Sequence, residues 1–292
     1  MFIKKIVFCL IICFLGSFYF GQNNNQKRDS ITILSWNIQM LPHLYSPFTK
    51  YFRKKQKKRL PEIVNYLNDN DFEIIVLQEV FDLKAIRELK KKLKKNYPYI
   101  QLPLKKGIGI QLSNGIMIAS KIPLEYVDHV VFSKPKGNEK MAQKGCVLVK
   151  CNWGNQPLFI SGTHLNSRTQ ETRRNQYKTI SNQIIKPYIS DSIPFFLVGD
   201  MNTSYNSRYF PEMMEVFQLY CSALKDKSPY TYSSRNSWNS INYNVWIDYI
   251  FHNQNKNVKI IAQYIIRPTM LLKNKKIDLA DHYGIALKIS LN

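Results

Sequence analysis

The sequence predicts an α/β fold in which mixed β-sheets are covered by helices within a single domain. Apolar runs of strand length alternate with segments whose apolar residues recur at helical spacing, and several strands follow one another without a helix between them. The chain has 292 residues, 45% of them hydrophobic, which is enough to bury a substantial core. No internal repeat or low-complexity linker divides it.

The first 22 residues have the pattern of a secretory signal peptide. Two lysines precede an apolar segment, residues 6–20, that is too short to cross a membrane. We expect cleavage at about residue 21 or 22 and a secreted protein, with an uncleaved membrane anchor as the alternative. Residues 23–30 then form a polar stub, and residues 31–292 form the predicted domain.

The composition is strongly basic, with 42 Lys and Arg against 20 Asp and Glu and a formal net charge of +22. Basic chains often bind nucleic acid or anionic membranes, but a solvated lysine-rich surface explains the same composition. Charge alone therefore does not choose a partner.

The cysteines give no disulfide framework. Cys146, Cys151 and Cys221 follow the predicted signal, an odd number. Cys146 and Cys151 lie five residues apart in one predicted strand, so they point to opposite faces and are too far apart to bridge. We expect free thiols, with a bridge from Cys221 to one of the others as the alternative.

The first predicted strand, residues 31–37, is followed by a loop and by seven basic residues between Lys50 and Arg59. We interpret this basic run as the loop or first turns of a surface helix, because the apolar residues of 60–67 have helical spacing. Further helices are predicted at residues 83–93, 172–187 and 212–219. Further strands are predicted at residues 73–78, 115–119, 127–132, 145–150, 158–162, 195–198, 245–251, 258–266 and 283–289.

The stretch from Phe195 to Thr203 shows how chemistry enters this pattern. Four apolar residues lead to Gly199 and then to Asp200 and Asn202. Alternate side chains of an extended chain share a face, so Asp200 and Asn202 can point the same way. A carboxylate and a carboxamide together suit Mg²⁺ or a water held near a phosphate. In isolation, a turn capped by an Asx side chain is the commoner meaning of such a stretch.

Polar residues recur at strand ends or inside apolar strands along the whole chain. They are Asn37, Glu79, His164, Asp200, Asn202, Asp248, Asp281 and His282. In sheets of this kind the strand ends converge on one rim, where ligands bind. Asp248 lies in the middle of a predicted apolar strand, is costly to bury alone, and has His282 as its candidate partner. With no Cys or Lys among them, the eight residues favour Mg²⁺-assisted hydrolysis of a phosphate ester.

Six motifs carry a family resemblance. SWN, LQEVF, GTHLN, GDMNT, IDYIF and DHYGI, in this order, resemble the endonuclease/exonuclease/phosphatase superfamily over residues 31–291. The resemblance implies a deoxyribonuclease-like four-layer sandwich, two packed mixed β-sheets flanked by helices. Within the superfamily, the sequence is most similar to bacterial secreted, Mg²⁺-dependent sphingomyelinases. The segments that carry this narrower similarity are EVFD from Glu79, SKIPL from Ser120, KG from Lys144, RxNQ from Arg173, and PYT from Pro229 with Trp238.

The narrower resemblance implies a monomeric phosphodiesterase that hydrolyses sphingomyelin at a membrane surface to ceramide and phosphocholine. Glu79, with Asn37, would hold the catalytic Mg²⁺. His282 would be the general base that activates the attacking water, oriented by Asp248. Asp281 would support the metal or His282.

It also implies the roles of the remaining three residues. Asp200 would position the attacking water, and Asn202 would hold a phosphate oxygen. His164 would stabilise the charge that develops on the phosphate and assist the leaving alkoxide.

Three segments depart from the relatives. Residues 113–115 read SNG where an acid often partners the first histidine, which leaves the partner of His164 open. Asn239 stands where an acid often follows the tryptophan. The segment before the last Asp-His pair, residues 267–280, is short for a membrane-inserting hairpin. Its apolar residues, 270–272, are candidates for membrane contact or for ordinary packing.

Three other functions compete with the sphingomyelinase interpretation. A secreted Mg²⁺-dependent nuclease of the same fold would use the basic surface to bind a polyanion. A binding or adhesion protein with a dead site is disfavoured, because all eight positions hold chemically competent residues. An inositol-polyphosphate or other phosphoesterase is the third.

Overall fold

The protein is described by a computed structural model that covers residues 29–42, 49–105, 107, 111–133 and 141–292. The predicted signal peptide and most of the polar stub lie outside the described residues. So does most of the loop that precedes Gly145. Among the helices of the described part, none is long and apolar enough to cross a membrane.

Two six-stranded mixed sheets form the centre of the molecule, and their strands are named here in chain order. The first sheet contains, from edge to edge, β13 (Val258–Ile266), β16 (Gly284–Leu291), β1 (Ser30–Met40), β2 (Ile74–Val80), β4 (Met117–Ser120) and β3 (Tyr99–Gln101). The second contains β5 (Leu124–Val131), β6 (Gly145–Trp153), β7 (Gln156–His164), β8 (Phe195–Asp200), β12 (Asp248–His252) and β9 (Tyr220–Cys221). Two-stranded ribbons are formed by β10 (Tyr232–Ser233) with β11 (Asn244–Val245), and by β14 (Thr269–Leu272) with β15 (Lys275–Asp278).

Helices cover the outer face of each sheet. They are α1 (Thr49–Asp69), α2 (Leu83–Leu93), α3 (Gln170–Ile180), α4 (Lys186–Tyr188) and α5 (Tyr209–Phe217), with a π-helical turn (Ser181–Ile185) that joins α3 to α4. The apolar residues of α1 and α2 pack on the first sheet, and those of α3 and α5 pack on the second. The predicted four-layer sandwich is therefore confirmed.

Strand β1 shows why the sheets stack. Its alternating side chains divide between two cores: Ile31 and Ile33 pack between the sheets, whereas Leu34 and Trp36 pack under the helices. Burying each such side chain contributes about 1.5–3 kcal/mol. A strand with two apolar faces has to be an internal layer, and β1 is a central strand of its sheet.

The structure corrects the sequence analysis at two strands and sharpens it at one helix. Asp248 is the first residue of β12, not the middle of a strand, because Trp246 and Ile247 belong to no strand and separate β11, which pairs with β10, from β12, which pairs with β8. The short edge strand β3 was not predicted. The basic run lies entirely inside α1, where Arg59 is only 2% exposed. Lysine and arginine are good helix formers, so a long basic run can continue a helix.

The cysteine and hairpin expectations have mixed outcomes. All three cysteines of the described chain are free thiols, as expected.

The segment before Asp281 forms the short hairpin β14–β15, in which Met270 is buried and Leu271 is exposed. Met270 is therefore ordinary packing, and Leu271 remains free for other contacts.

Strand direction explains how distant residues reach one rim. β1 runs parallel to β2 and β7 runs parallel to β8, whereas β16 and β12 run antiparallel to β1 and β8. The C-terminal ends of the parallel strands and the N-terminal ends of the antiparallel ones therefore lie at the same edge of the two sheets.

Candidate active site

Three site residues are placed by strand register alone. His164 ends β7 and lies opposite Asp200, the last residue of β8, while Asp248 opens β12 and lies opposite Asp200 from the other side. Gly199 permits the close approach of β7 and β8: it has a φ of +153°, and a Cβ there would collide with the carbonyl oxygen of Thr163. The glycine before Asp200 is thus a packing requirement.

His282 and Asp248 form a buried hydrogen-bonded pair. His282 Nδ1 donates to Asp248 Oδ2 over 2.9 Å, and Asp248 is fully buried. The backbone N–H of Asp248 is held by Thr231 Oγ1 at 3.1 Å. Burial opposes a charge on His282, but the Asp248 and Asp200 carboxylates raise its pKa well above the ordinary value. The pair therefore fixes the ring and leaves Nε2 directed at Asp200, 3.8 Å away.

Asp200 lies between the two histidines. Its Oδ2 is 3.5 Å from His164 Nε2 and accepts a hydrogen bond from Asn37 Nδ2 at 3.2 Å. Its Oδ1 accepts the backbone N–H of Asn202 at 2.9 Å. Burial, followed by repulsion from Asp248, raises the pKa of Asp200 to about 7. A carboxyl group that titrates near neutrality can bind a water either as donor or as acceptor.

His164 has a lysine neighbour. Lys144 Nζ lies 3.2 Å from His164 Nε2 and donates to the carbonyl of Leu165 at 2.8 Å. His164 Nδ1 is buried and has no hydrogen-bond partner among the described residues. Burial and the positive charges of Lys144 and His282 lower the pKa of His164 well below its ordinary value. Asn114 is therefore not its partner, and Asn114 Oδ1 instead accepts the N–H groups of Leu104 and Ile116.

Glu79 and Asp281 form the acidic part of the site. Glu79 has a left-handed backbone with a φ of 58°, which is unfavourable for a residue with a side chain and is typical of functional sites. Its side chain stays 21% exposed. Asp281 Oδ2 accepts a hydrogen bond from Gln39 Nε2 at 2.7 Å. Burial and the neighbouring Asp281 charge raise the pKa of Glu79, and burial also raises that of Asp281.

These acids fit a hard divalent cation. The negative charges of Glu79 and Asp281 repel each other, so a bound cation would stabilise both ionised groups. In addition, Asp281 Oδ1 is a buried oxygen without a partner in the described chain. A second group, Asp200, Asp248 and His282, also has ligand atoms within 4.8 Å of one another. Within that group His282 Nδ1 and Asp248 Oδ2 already share a 2.9 Å hydrogen bond, while Asp248 Oδ1 has no partner in the described chain.

Asn37 and Asn202 are held in place by hydrogen bonds to backbone groups near the acids and histidines of the site. Asn37 Oδ1 accepts the backbone N–H of Gln39 at 3.2 Å, and its Nδ2 donates to Asp200 Oδ2 at 3.2 Å. Asn202 has a left-handed backbone with a φ of 48°, and its Nδ2 donates to the carbonyl of Leu165 at 3.2 Å. The structure therefore brings all eight predicted residues to one rim.

A cleft of about 620 Å³ opens over this rim. Six of the eight predicted residues line it directly; Asn37 and Asp248 stand behind the others. Lys144, Phe81, Tyr232 and Tyr243 also line the cleft. The size suits a small phosphate ester group with the rest of a larger substrate outside.

Sequence reasoning missed several residues that support the site. Lys144 was noted only as part of a family segment. Gln39 links Asn37 to Asp281, and Arg59 donates to the carbonyl of Gln39 at 2.9 Å from inside α1. Asn239 donates to the carbonyl of Asp281 at 3.0 Å, which gives the unusual residue a structural role. A buried arginine inside a basic run has no sequence signal that separates it from its solvated neighbours.

Comparison with known proteins defines the family. The profile of the Endonuclease/Exonuclease/phosphatase family matches residues 34–270, so the chain belongs to that family. Sphingomyelinase C 2 of Leptospira interrogans is 29% identical over 210 residues, which span 65% of this chain but 33% of that protein. Sphingomyelinase C of Bacillus cereus is 24% identical over an alignment that covers 94% of this chain and 93% of that protein.

A solved structure shares the fold. It is a beta toxin variant from Staphylococcus aureus with bound magnesium ions, and it superposes with a TM-score of 0.73 at 23% identity. The match covers 88% of this chain and 99% of that one. The two-sheet sandwich with its covering helices is thus a fold already seen in a solved structure.

Proposed function

We propose that this protein is a secreted, Mg²⁺-dependent phosphodiesterase that hydrolyses sphingomyelin to ceramide and phosphocholine. The names of its relatives support the substrate. The observation that carries the chemistry is the His282–Asp248 hydrogen bond of 2.9 Å, with His282 Nε2 facing Asp200 on the cleft floor. An oriented imidazole beside a carboxyl group that can hold water is a general base in position.

His282 takes the proton of the attacking water at Nε2, while Nδ1–H stays bonded to Asp248. The water oxygen forms a bond to phosphorus as the bond from phosphorus to the ceramide oxygen breaks. Asp200 orients the water. General-base assistance of this kind contributes about 10²–10⁴-fold to the rate.

Lys144 and His164 lie where the leaving group, the ceramide alkoxide, would depart. The lowered pKa of His164 keeps its imidazole neutral, so Lys144 Nζ supplies the positive charge and the proton for the departing alkoxide. Asn202 holds a phosphate oxygen with the N–H of Nδ2 that Leu165 does not use. This division gives Lys144 the charge and the proton that the family resemblance implies for His164, whose neutral ring lies 3.2 Å from the lysine.

Glu79, with Asn37, would hold the Mg²⁺ ion, and Asp281 supports both this site and His282. Bound Mg²⁺ would polarise a phosphate oxygen and, as a nearby positive charge, lower the pKa of His282 toward the value that a base requires. Gln39 and Arg59 keep Asp281 and the end of β1 in place.

We also propose that residues 1–22 direct secretion, that residues 31–292 form one catalytic domain, and that a monomer acts on phospholipid at a membrane surface. These statements rest on the sequence pattern and on the similarity to bacterial sphingomyelinases.

Phosphocholine release from sphingomyelin liposomes, measured with Mg²⁺ and with EDTA beside a plasmid DNA digest, tests the proposal. We expect release that EDTA abolishes, with the DNA intact. Glu79→Gln should lower release at least 10²-fold, whereas the matched control Glu125→Gln, on the exposed face of β5, should match the wild type. DNA cleavage without phosphocholine release would overturn the substrate and leave the fold and the site standing.

The second candidate function is a secreted nuclease of the same fold. The observation that favours it is the net charge of +22, which suits a polyanion. It predicts DNA cleavage that falls steeply with salt, which the plasmid arm of the same experiment measures at two salt concentrations.

A further inference from the structure

Two tyrosine rings on the wall of the cleft have no role in the proposed reaction. Tyr232 begins β10, and Tyr243 directly precedes β11, so the pairing of these short strands places the rings side by side. Their centroids are 6.5 Å apart and their planes meet at 46°. Both rings line the cleft. Tyr232 and Tyr243 together are called the tyrosine notch.

The tyrosine notch lies next to the reacting centre. The Tyr232 ring centroid is 4.9 Å from that of His282, and the two residues form an antiparallel backbone bridge. The N–H of Tyr283 also donates to the carbonyl of Thr231 at 2.7 Å, so the notch is tied to the segment that carries His282. A group bound in the notch is therefore close to the position of the phosphorus atom that a water activated by His282 would attack. A short linker, such as the one between phosphate and ammonium in phosphocholine, can join the two.

Exposure and charge indicate what the notch binds. Tyr243 is 51% exposed, so its ring is accessible to a ligand in the cleft. The same cleft contains the acids Glu79 and Asp281. Paired aromatic faces beside acids favour a cation, because both the ring quadrupoles and the carboxylates attract positive charge.

We propose that the tyrosine notch binds the quaternary ammonium of the substrate headgroup by cation–π contact. This inference rests on the proposed function and adds to it the residues that select a choline ester. The two ring faces suit a cation that has no N–H groups to donate, because the rings offer no strong acceptor atoms.

The test compares two soluble chromogenic substrates of the same shape. One is p-nitrophenyl phosphocholine, and the other is its uncharged dimethylbutyl isostere, in which a carbon atom replaces the nitrogen. The ratio of their kcat/KM values measures recognition of the charge itself. Tyr243→Leu removes the ring, Tyr243→Phe keeps it, and Tyr126→Leu alters a similarly exposed tyrosine on β5 as the matched control.

We expect the wild type to prefer the charged substrate and Tyr243→Leu to lower that preference by about 2- to 30-fold. Tyr243→Phe and Tyr126→Leu should keep the wild-type ratio. An unchanged ratio in Tyr243→Leu, or an equal fall in Tyr126→Leu, would overturn the inference.

Sphingomyelin turnover by the same preparations separates the two proposals. Suppose that the wild type releases phosphocholine from sphingomyelin and that Tyr243→Leu keeps the wild-type ratio of kcat/KM for the charged and uncharged substrates. In that case only the proposed binding of the quaternary ammonium by the tyrosine notch is refuted. If the wild type hydrolyses neither choline ester but cleaves DNA, the proposed function fails and the inference fails with it.

Discussion

The cleft contains two histidines in opposite environments. His282 donates to the buried carboxylate of Asp248, and its pKa is raised well above the ordinary value. His164 lies 3.2 Å from the ammonium of Lys144, has a buried Nδ1 without a partner in the described chain, and has a pKa lowered well below the ordinary value. The same side chain is thus given two electrostatic settings within one site.

The difference supports the two roles in the proposed mechanism. There, the base needs a partner that stabilises its protonated ring, and Asp248 is the proposed partner. The lowered pKa of His164 favours its neutral form, so we propose that Lys144 supplies the positive charge near the leaving group. Asp200 Oδ2 lies within 3.8 Å of both rings and is the common neighbour through which they interact.

The largest expected effect comes from breaking the His282 pair. Asp248→Asn removes the charge that stabilises protonated His282 and disfavours the correct tautomer, so we expect kcat to fall about 10³–10⁴-fold and the pKa of His282 to drop. Steady-state kinetics and NMR titration of the imidazoles measure both. A variant with near-native kcat would show that Asp248 does not support the base. Asp226→Asn, which alters an acid of the Arg267 ion pair, serves as control.

A smaller effect is expected on the side of His164. Lys144→Met keeps the length of the side chain but removes the ammonium, so we expect kcat to fall about 10²–10³-fold. Because the positive charge of Lys144 lowers the pKa of His164, that pKa should rise toward its ordinary value, which NMR titration detects. Loss of kcat without any change in the titration of His164 would mean that the lysine acts elsewhere.

The smallest effect concerns stability and tests the carboxyl group between the rings. The pKa of Asp200 is raised to about 7 in the folded state, so the protonated group stabilises the protein at low pH and this contribution is lost as the pH rises from about 4 to about 7. Asp200→Asn mimics the protonated form. In EDTA, its free energy of unfolding should match the wild type near pH 4 and exceed it by roughly 2–4 kcal/mol at pH 8.

Urea unfolding of the two proteins across this pH range measures the difference. A difference that stays constant with pH would show that Asp200 titrates normally. Asp191→Asn, on the exposed loop before β8, should show no such trend.

The sequence was sufficient for the fold class and for the eight polar residues. An apolar run followed by a polar residue is a local signal, so Asn37, His164 and Asp200 could be identified one strand at a time. We expected their convergence because strand ends of such sheets meet at one rim, and the structure shows the parallel and antiparallel strand directions that produce it.

What the sequence could not give depends on long-range geometry. Lys144 is one of 42 basic residues, and nothing local shows that it reaches His164 from the start of β6. Asp248 was placed mid-strand because the interruption at Trp246 and Ile247 has no breaker residue. The left-handed backbone of Glu79 is set by its surroundings and has no composition signal.

The most direct test of the central claim is phosphocholine release from sphingomyelin by His282→Ala, with Mg²⁺ present and with circular dichroism to verify the fold. His129→Ala, on the edge strand β5, is the matched control. We expect His282→Ala to stay folded and lose at least 10²-fold in rate, while the control retains full activity. Near-native release by folded His282→Ala would contradict the assignment of the base and the mechanism built on it.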